Sequence, residues 1–229
     1  MKNFKKYSSI VLLIFLVLIK IQDSNFVRKV ENISYDAYQS LFIEKSNFDE
    51  VVIIDIDEKS IGEIGQFPWR RDIFADLIQK LNQYGVSVIT FDVFFSEEDK
   101  QNPKKILEEF NIKNDTVFDS DQKLLESIQS SNVILPVLGD ISMYNKDNSS
   151  KPKTNIISKG SDPSDYVYRF KNKITSLEKF NNAAKGVGTI SYLDSIDAVL
   201  RSLPIFLKIE NDIWPTLSLE TLRVLHGHK

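Results

Sequence analysis

The first 22 residues combine a basic start with an unbroken apolar run. Three of the first six residues are lysines, residues 10–19 are all apolar, and Lys20 follows them. This pattern is typical of a membrane-targeting segment. Residues 20–25 lack the small side chains of a signal-peptide cleavage site, which favours an uncleaved anchor over a removed signal peptide. The lysines predict that the N-terminus lies in the cytoplasm and the rest of the chain outside it.

The apolar run is shorter than the roughly 20 residues of a usual membrane span. Lys20 offsets this shortfall because its amine can reach the polar headgroups while its stem stays among the lipid. We therefore expect residues 1–22 to form a basic cytoplasmic start and a membrane-anchoring helix. Residues 23–229 are expected to form one extracytoplasmic domain.

Residues 24–42 carry apolar side chains at intervals of three and four. The positions are Phe26, Val30, Ile33, Ala37 and Leu41. This spacing predicts an amphipathic helix next to the membrane. Pairing of two such helices through their apolar faces would make the protein a homodimer, and we expect that state.

From residue 51 onward, β-branched runs alternate with helical patterns. Predicted strands lie at 51–56, 86–92, 132–138, 187–193 and 203–209, and predicted helices at 72–84, 103–110, 121–131 and 217–225. The first three strands are expected to be parallel neighbours, with 86–92 beside 51–56. Thr175 and Glu178 form a capping-box pattern for one more short helix. The polar stretch 139–173 predicts a long surface insertion. The fold class is thus α/β, with a parallel or mixed central sheet flanked by helices.

Composition excludes several classes of function. The 229 residues include 29 Lys and Arg against 32 Asp and Glu, so the net charge is −3. A general nucleic-acid binder would be clearly basic, and no such partner is expected. The absence of Cys excludes disulfides, thiolate metal sites and cysteine nucleophiles. Because both histidines lie near the C-terminus, a multi-histidine metal centre or a Ser-His-Asp triad is disfavoured.

Three carboxylates fall at the ends of two predicted neighbouring strands: Asp55, Asp57 and Asp92. Together they could hold a divalent metal ion and support hydrolysis. The alternative is structural: Asp57 caps the following turn, and Asp92 pairs with Arg71. No nucleophile, general base or phosphate loop accompanies the carboxylates. We therefore favour the structural interpretation and predict no catalytic residue, no metal site and no cofactor.

Residues 67–71 form a distinctive segment in which an aromatic-proline-aromatic cluster precedes two arginines. Trp69 and Pro68 would stiffen this loop, so that it presents the guanidinium of Arg71 at the start of a helix. Arg71 could then bind an anionic ligand, or it could form an ion pair with Asp92 that fixes the ends of the sheet. We favour the ion pair.

The motifs at 57–62, 67–71 and 89–95 resemble those of the type-two CHASE domain, a bacterial extracellular sensory domain associated with cyclases and histidine kinases. Further matches follow in the family's order at 119–124, 133–136, 186–190, 194–204 and 214–219. The resemblance thus spans nearly all of residues 23–226. Two residues depart from the pattern: Phe67 replaces a tryptophan, and Ala198 replaces a glycine.

The resemblance implies a non-enzymatic, extracytoplasmic sensor domain of a receptor in the inner membrane. In the full receptor it would be coupled to a cyclase, a histidine kinase or a diguanylate cyclase, and its signal would be a small molecule or a protein. The candidates for ligand binding or for a structural ion pair are Asp57, Trp69, Arg71, Asp92 and Arg201. A metal-dependent hydrolase and a periplasmic protein-binding module are the alternatives.

Overall fold

A computed structural model describes most of the chain. The described residues are 2–21, 25–42, 50–112, 116–140, 150–154, 156–157, 159–160, 162–192, 197 and 199–228. They divide into two compact units. The first comprises Met1–Asp55 and Ile196–Val199, and the second comprises Ile56–Ser195 and Leu200–Lys229.

The first unit contains two helices, α1 (Lys2–Ile21) and α2 (Asn25–Leu41). Helix α2 confirms the amphipathic helix predicted at 24–42. Several of its apolar side chains are exposed, Val30, Ile33 and Leu41 among them, and Asn32 Nδ2 donates to Asp197 Oδ2 at 3.4 Å. In the part of the chain that the structure describes, no helix is both long enough and apolar enough to cross a membrane.

The second unit contains the remaining elements. Its helices are α3 (Glu58–Ile64), α4 (Arg71–Gln83), α5 (Pro103–Glu109), α6 (Ser120–Gln129), α7 (Glu178–Ala183) and α8 (Leu217–Leu225). Its strands are β1 (Ile89–Thr90), β2 (Val133–Asp140), β3 (Arg169–Phe170), β4 (Asn172–Thr175), β5 (Gly186–Thr189), β6 (Phe206–Ile209) and β7 (Asp212–Pro215). A short 3₁₀ turn lies at Pro163–Asp165.

Two mixed sheets organise this unit, which confirms the α/β class. In the larger sheet, β2 pairs with β1 and β5 in parallel and with β4 antiparallel. In the smaller sheet, β6 pairs with β3 in parallel and with β7 antiparallel. The predicted parallel pairing of 86–92 with 132–138 is confirmed, although the first of these strands is reduced to two residues.

The prediction of a strand at 51–56 is wrong. Residues 51–57 form neither a helix nor a strand, and the side chains from Val51 to Ile54 are exposed. A β-branched run favours an extended backbone, but a strand also needs the N–H and C=O groups of a neighbour. In the sheets that the structure describes, β1 pairs with β2 alone, so the expected neighbouring pair is not formed.

Two smaller predictions are also wrong. Leu177 precedes α7 and makes no side-chain capping bond, so Thr175 and Glu178 are not a capping box. Thr175 instead ends β4, and its hydroxyl donates to the Ser176 carbonyl at 2.7 Å. The stretch 139–173 is not all insertion, because β2 continues to Asp140 and strand β3 lies within it. Residues 141–149 of that stretch lie outside the described residues.

The main core lies between helices α4 and α6 and strand β2. Aromatic rings dominate the end of it nearest the loop after β1: Phe95 lies edge-on to Phe74 at 5.3 Å and to Phe180 at 5.9 Å between ring centroids. Such edge-to-face pairs add to the free energy of area burial. Phe74 lies in the first turn of α4 and Phe95 directly precedes the loop 96–102, so this aromatic cluster connects the two.

Candidate functional site

The loop before α4 is held in place by Trp69. This side chain is buried, and its indole Nε1 donates to the Gly65 carbonyl at 2.6 Å. Gly65 has φ +111°, a backbone conformation that side-chain-bearing residues rarely adopt. From the other side, Gln101 Nε2 donates to the Pro68 carbonyl at 3.2 Å. The start of α4 is therefore fixed by both neighbouring loops.

The two arginines of this segment have different roles. Arg70 Nε and Nη2 donate to the two carboxylate oxygens of Asp72, at 2.5 and 2.8 Å, and the guanidinium lies 5.3 Å from the centroid of the Phe118 ring. The hydrogen bonds from Arg70 lower the pKa of Asp72. Asp72 thus lies inside the first turn of α4 and does not cap the helix. Arg70 forms an ion pair near the surface.

Arg71 is directed into the protein. Its guanidinium carbon lies 4.8 Å from the centroid of the Phe95 ring, and Nη2 donates to the Glu97 carbonyl at 3.2 Å. Nε lies 4.0 Å from Asp121 Oδ1. Burial lowers the pKa of Arg71, because the charged form has lost most of its water.

Asp99 joins the first turns of α4 and α6. It is buried, and its Oδ2 accepts hydrogen bonds from the Arg71 backbone N–H at 2.9 Å and from Ser120 Oγ at 2.6 Å. Its Oδ1 accepts from the Gln101 backbone N–H at 2.9 Å. One carboxylate therefore connects the 96–102 loop to both helices, with charge-assisted bonds.

Asp121 is the charged centre of the site. Its side chain is 3% exposed and faces three cations: Lys179 Nζ at 3.2 Å, Lys105 Nζ at 3.9 Å and Arg71 Nε at 4.0 Å. Oδ2 also accepts from the Asp99 backbone N–H at 3.3 Å. Because Lys105 and Lys179 are each about one-third exposed, the site reaches the surface through them. Lys105 also pairs with Glu98.

The α6 terminus is ordered by a second set of polar contacts. Buried Asn102 donates to Asp119 Oδ1 at 2.7 Å, and the same oxygen caps the helix by accepting from the backbone N–H groups of Asp121 and Gln122. Burial tends to raise the pKa of Asp119, but the hydrogen bonds from Asn102 and Gln122 outweigh it, so that the pKa is lowered. Asp121 is thereby held at a defined position on the first turn.

The model of the CHASE2 domain family matches residues 10–229 of the chain. The chain belongs to the CHASE2 domain family. CHASE2 is a family of extracytoplasmic sensor domains and not a catalytic family, so the match confirms the resemblance inferred from the motifs. No curated protein and no solved structure is significantly similar to the chain.

The predicted pair between Arg71 and Asp92 is wrong. In this CHASE2 domain Asp92 is exposed and is not among the partners of Arg71. Strand β1 ends at Thr90, and the chain then runs through Phe95 into the loop that carries Asp99. Asp99 and Asp121 therefore occupy the place at the start of α4 that had been assigned to Asp92.

Of the remaining predicted residues, Trp69 belongs to the same loop as Arg71, whereas Asp57 and Arg201 make none of the contacts of Arg71 described above. Exposed Asp57 caps α3 by accepting from the Ser60 backbone N–H at 2.8 Å and from Ser60 Oγ at 2.6 Å, as the structural interpretation predicted. These bonds lower the pKa of Asp57. Arg201 is half-buried in a segment without regular structure and is not a partner of Arg71.

The carboxylate trio predicted as an alternative metal site is not assembled. The strand that was to carry Asp55 and Asp57 is not formed, and Asp57 binds Ser60. Among the residues that the structure describes, no three His, Asp or Glu side chains are grouped so that they could hold a metal ion.

Sequence reasoning missed Asp99 and Asp121. Asp121 lies in the motif 119–124, which carried part of the family resemblance but suggested no role for the residue. Asp99 lies in a polar stretch, 96–102, with no periodicity to mark it. Only the fold of that loop over the start of α4 distinguishes it from the acidic residues beside it.

Proposed function

We propose that this chain is the signal-input part of a membrane-bound bacterial receptor. The observation that carries the proposal is the CHASE2 family match across residues 10–229. In the full receptor the domain would regulate a cyclase, a histidine kinase or a diguanylate cyclase. The experiment is to fuse the chain to the catalytic part of a diguanylate cyclase and measure product formation in cells. Output that changes with extracellular conditions supports the proposal, and output that is constant under all of them argues against it.

The second part of the proposal is that the N-terminal segment, residues 1–22, holds the receptor in the inner membrane with its N-terminus inside. The described apolar side chains between Ile10 and Leu18 are all exposed, as expected of a surface that faces lipid. A periplasmic reporter enzyme fused after residue 229 should be active, and mass spectrometry should find Met1–Ile21 retained. Cleavage beyond residue 22 would contradict the anchor, and an inactive reporter would contradict the topology.

Two copies pair through α2. Its exposed apolar side chains Val30, Ile33 and Leu41 recur along one face of the helix, and this face would form the seam between the two copies. Ile33→Glu places a charge in that seam and should convert dimer to monomer in analytical ultracentrifugation. Gln39→Glu, on the opposite side of the same helix, is the matched control and should leave the dimer intact. A wild-type chain that sediments as a monomer would contradict this part of the proposal.

The signal acts at the cluster of Arg71, Asp99 and Asp121. Support comes from the position of these residues, which join the first turns of two core helices and reach the surface beside Lys105 and Lys179. A bound ligand raises the melting temperature of the state that binds it. A small-molecule panel should therefore contain a compound that stabilises the wild type but not Lys179→Ala, whereas the exposed Lys100→Ala control should respond like the wild type.

A further inference from the structure

Two buried polar atoms of the site face each other without a hydrogen bond. Arg71 Nε and Asp121 Oδ1 are 4.0 Å apart, and neither has a hydrogen-bond partner in the protein. Their side chains are 12% and 3% exposed. Other atoms of the same groups are bonded: Arg71 Nη2 to the Glu97 carbonyl, and Asp121 Oδ2 to Asp99 and Lys179. Buried polar atoms are nearly always satisfied, so this facing pair requires an explanation.

The distance defines what can join the two atoms. At 4.0 Å the pair is too far apart for a direct hydrogen bond, which needs about 2.7–3.2 Å between nitrogen and oxygen. One atom about 2.8 Å from each would bridge them, and no second atom is needed. The shortest bridge is therefore a single atom.

The chemistry of the two atoms defines that bridge further. It must accept a hydrogen bond from Arg71 Nε–H and donate one to Asp121 Oδ1. A hydroxyl oxygen does both. An ionised carboxylate or phosphate oxygen cannot donate and would be repelled by Asp121, and an ammonium group cannot accept.

Local charge also favours a neutral group. Asp121 already has Lys179 and Lys105 beside it, at 3.2 and 3.9 Å, and the Arg71 backbone N–H is bonded to Asp99. An added ion of either sign would disturb this balance in a partly dry environment. A hydroxyl adds hydrogen bonds without adding charge.

We infer that a single hydroxyl oxygen binds between Arg71 Nε and Asp121 Oδ1 and completes the connection between α4 and α6. It is supplied either by an internal water molecule or by the hydroxyl of a small polyol that displaces the water. The second source rests on the proposed function, because it makes the ligand a neutral hydroxylated molecule. The first source requires no ligand.

The first experiment is a crystal structure of the full chain in detergent, at high resolution and without polyols in any buffer. We expect one water oxygen within about 2.6–3.2 Å of both Arg71 Nε and Asp121 Oδ1. A direct Nε–Oδ1 hydrogen bond, an anion at this position, or a gap with no density would each overturn the inference. None of these results would affect the reporter topology, so a failure here is distinct from a failure of the sensor proposal.

The second experiment decides the source of the hydroxyl. Thermal unfolding of the full chain is measured with millimolar glycerol, ribitol or myo-inositol. A saturable rise in melting temperature that is lost in Arg71→Lys and kept in Glu126→Gln supports the polyol as the source. Glu126→Gln is the matched control because it changes an exposed carboxylate of the same helix whose hydrogen-bond partner is Gln122. No saturable rise, with the water seen in the crystal, supports water as the source. A saturable rise that Arg71→Lys retains would overturn polyol binding at this position.

Discussion

Two buried ion pairs of the second unit have the same chemistry and different geometry. On α8, Glu220 is fully buried, and its two carboxylate oxygens bind Arg223 at 2.7 and 2.9 Å. Thr154 Oγ1 donates to the same carboxylate at 2.5 Å, and Arg223 also donates to the Lys185 carbonyl. Arg71 and Asp121, by contrast, are 4.0 Å apart and leave one atom each unsatisfied.

The pKa values of the two arginines are shifted in opposite directions. The hydrogen bonds from Arg223 to Glu220 raise the pKa of Arg223, whereas burial lowers the pKa of Arg71. The complete hydrogen bonds of the Glu220 pair stabilise the charged form of its arginine. In the Arg71 pair the 4.0 Å gap leaves the loss of hydration without full compensation by hydrogen bonds. The Glu220 pair is structural and joins α8 to β5, and the Arg71 pair is the one to which our proposal assigns the response to a signal.

The largest expected effect on stability comes from breaking the pair of Arg223 and Glu220. Arg223→Ala leaves Glu220 buried with Thr154 as its remaining side-chain partner, and should lower the free energy of unfolding by about 3–5 kcal/mol. Urea denaturation measures this loss. Arg223→Lys keeps the charge and should lose less, and Glu126→Ala on the exposed face of α6 should be near neutral. A loss below about 1 kcal/mol in Arg223→Ala would remove the distinction between the two pairs.

The space that Glu220 occupies depends on a glycine of β5. A Cβ at Gly186 would lie 2.7 Å from both Cγ and Oε1 of Glu220, so Gly186→Ala should destabilise the protein by about 1–3 kcal/mol. Gly62→Ala on α3 is the control, because no atom lies within 4 Å of a Cβ built there. The control should be neutral or slightly stabilising in the same urea experiment. Equal effects of the two substitutions would show that Glu220 moves freely.

The pair of Arg71 and Asp121 should show a smaller but specific coupling free energy. In a double-mutant cycle, Arg71→Ala and Asp121→Ala should couple by about 1 kcal/mol, since they are close but not directly bonded. Arg71→Ala and Asp92→Ala should show no coupling, because Asp92 is not among the partners of Arg71. The cycle is measured by urea unfolding at low and at high salt. A larger coupling with Asp92 than with Asp121 would contradict the described site.

The smallest effect concerns the pair of partly exposed Arg70 and buried Asp72. Because Arg70 lowers the pKa of Asp72 in the folded state, the pair stabilises the protein above the unfolded pKa of about 3.9 and loses this contribution as pH falls through the folded pKa. Arg70→Ala should therefore cost about 0.5 kcal/mol at pH 7 and progressively less as the pH falls through the folded pKa of Asp72. Stability measured against pH for both proteins tests this. A difference that grows on acidification would show the opposite sign of linkage.

Local patterns were sufficient for most helices and for the central strand. The predicted bounds 121–131 and 217–225 correspond to α6 and α8, and 132–138 corresponds to β2. These segments carry their information in apolar spacing and in capping residues such as Asp119 and Thr216, which act within a few residues of themselves. The order of the motifs likewise identified the family. The boundary at residue 22, the membrane anchor and the dimer stay predictions.

Choices among distant partners were decided by the tertiary structure. Residues 51–56 have the side chains typical of a strand but pair with no strand of the described sheets. Thr175 is a residue type that often caps helices, but its hydroxyl donates to the Ser176 carbonyl. Arg71 was recognised as a candidate from its loop, yet its partners Asp99 and Asp121 lie 28 and 50 positions further along the chain. Local propensity acts between residues that are near in sequence. The position of a carboxylate relative to a guanidinium depends instead on where loops and helices meet. The sequence therefore identified Arg71 as a candidate, and the fold selected its partners.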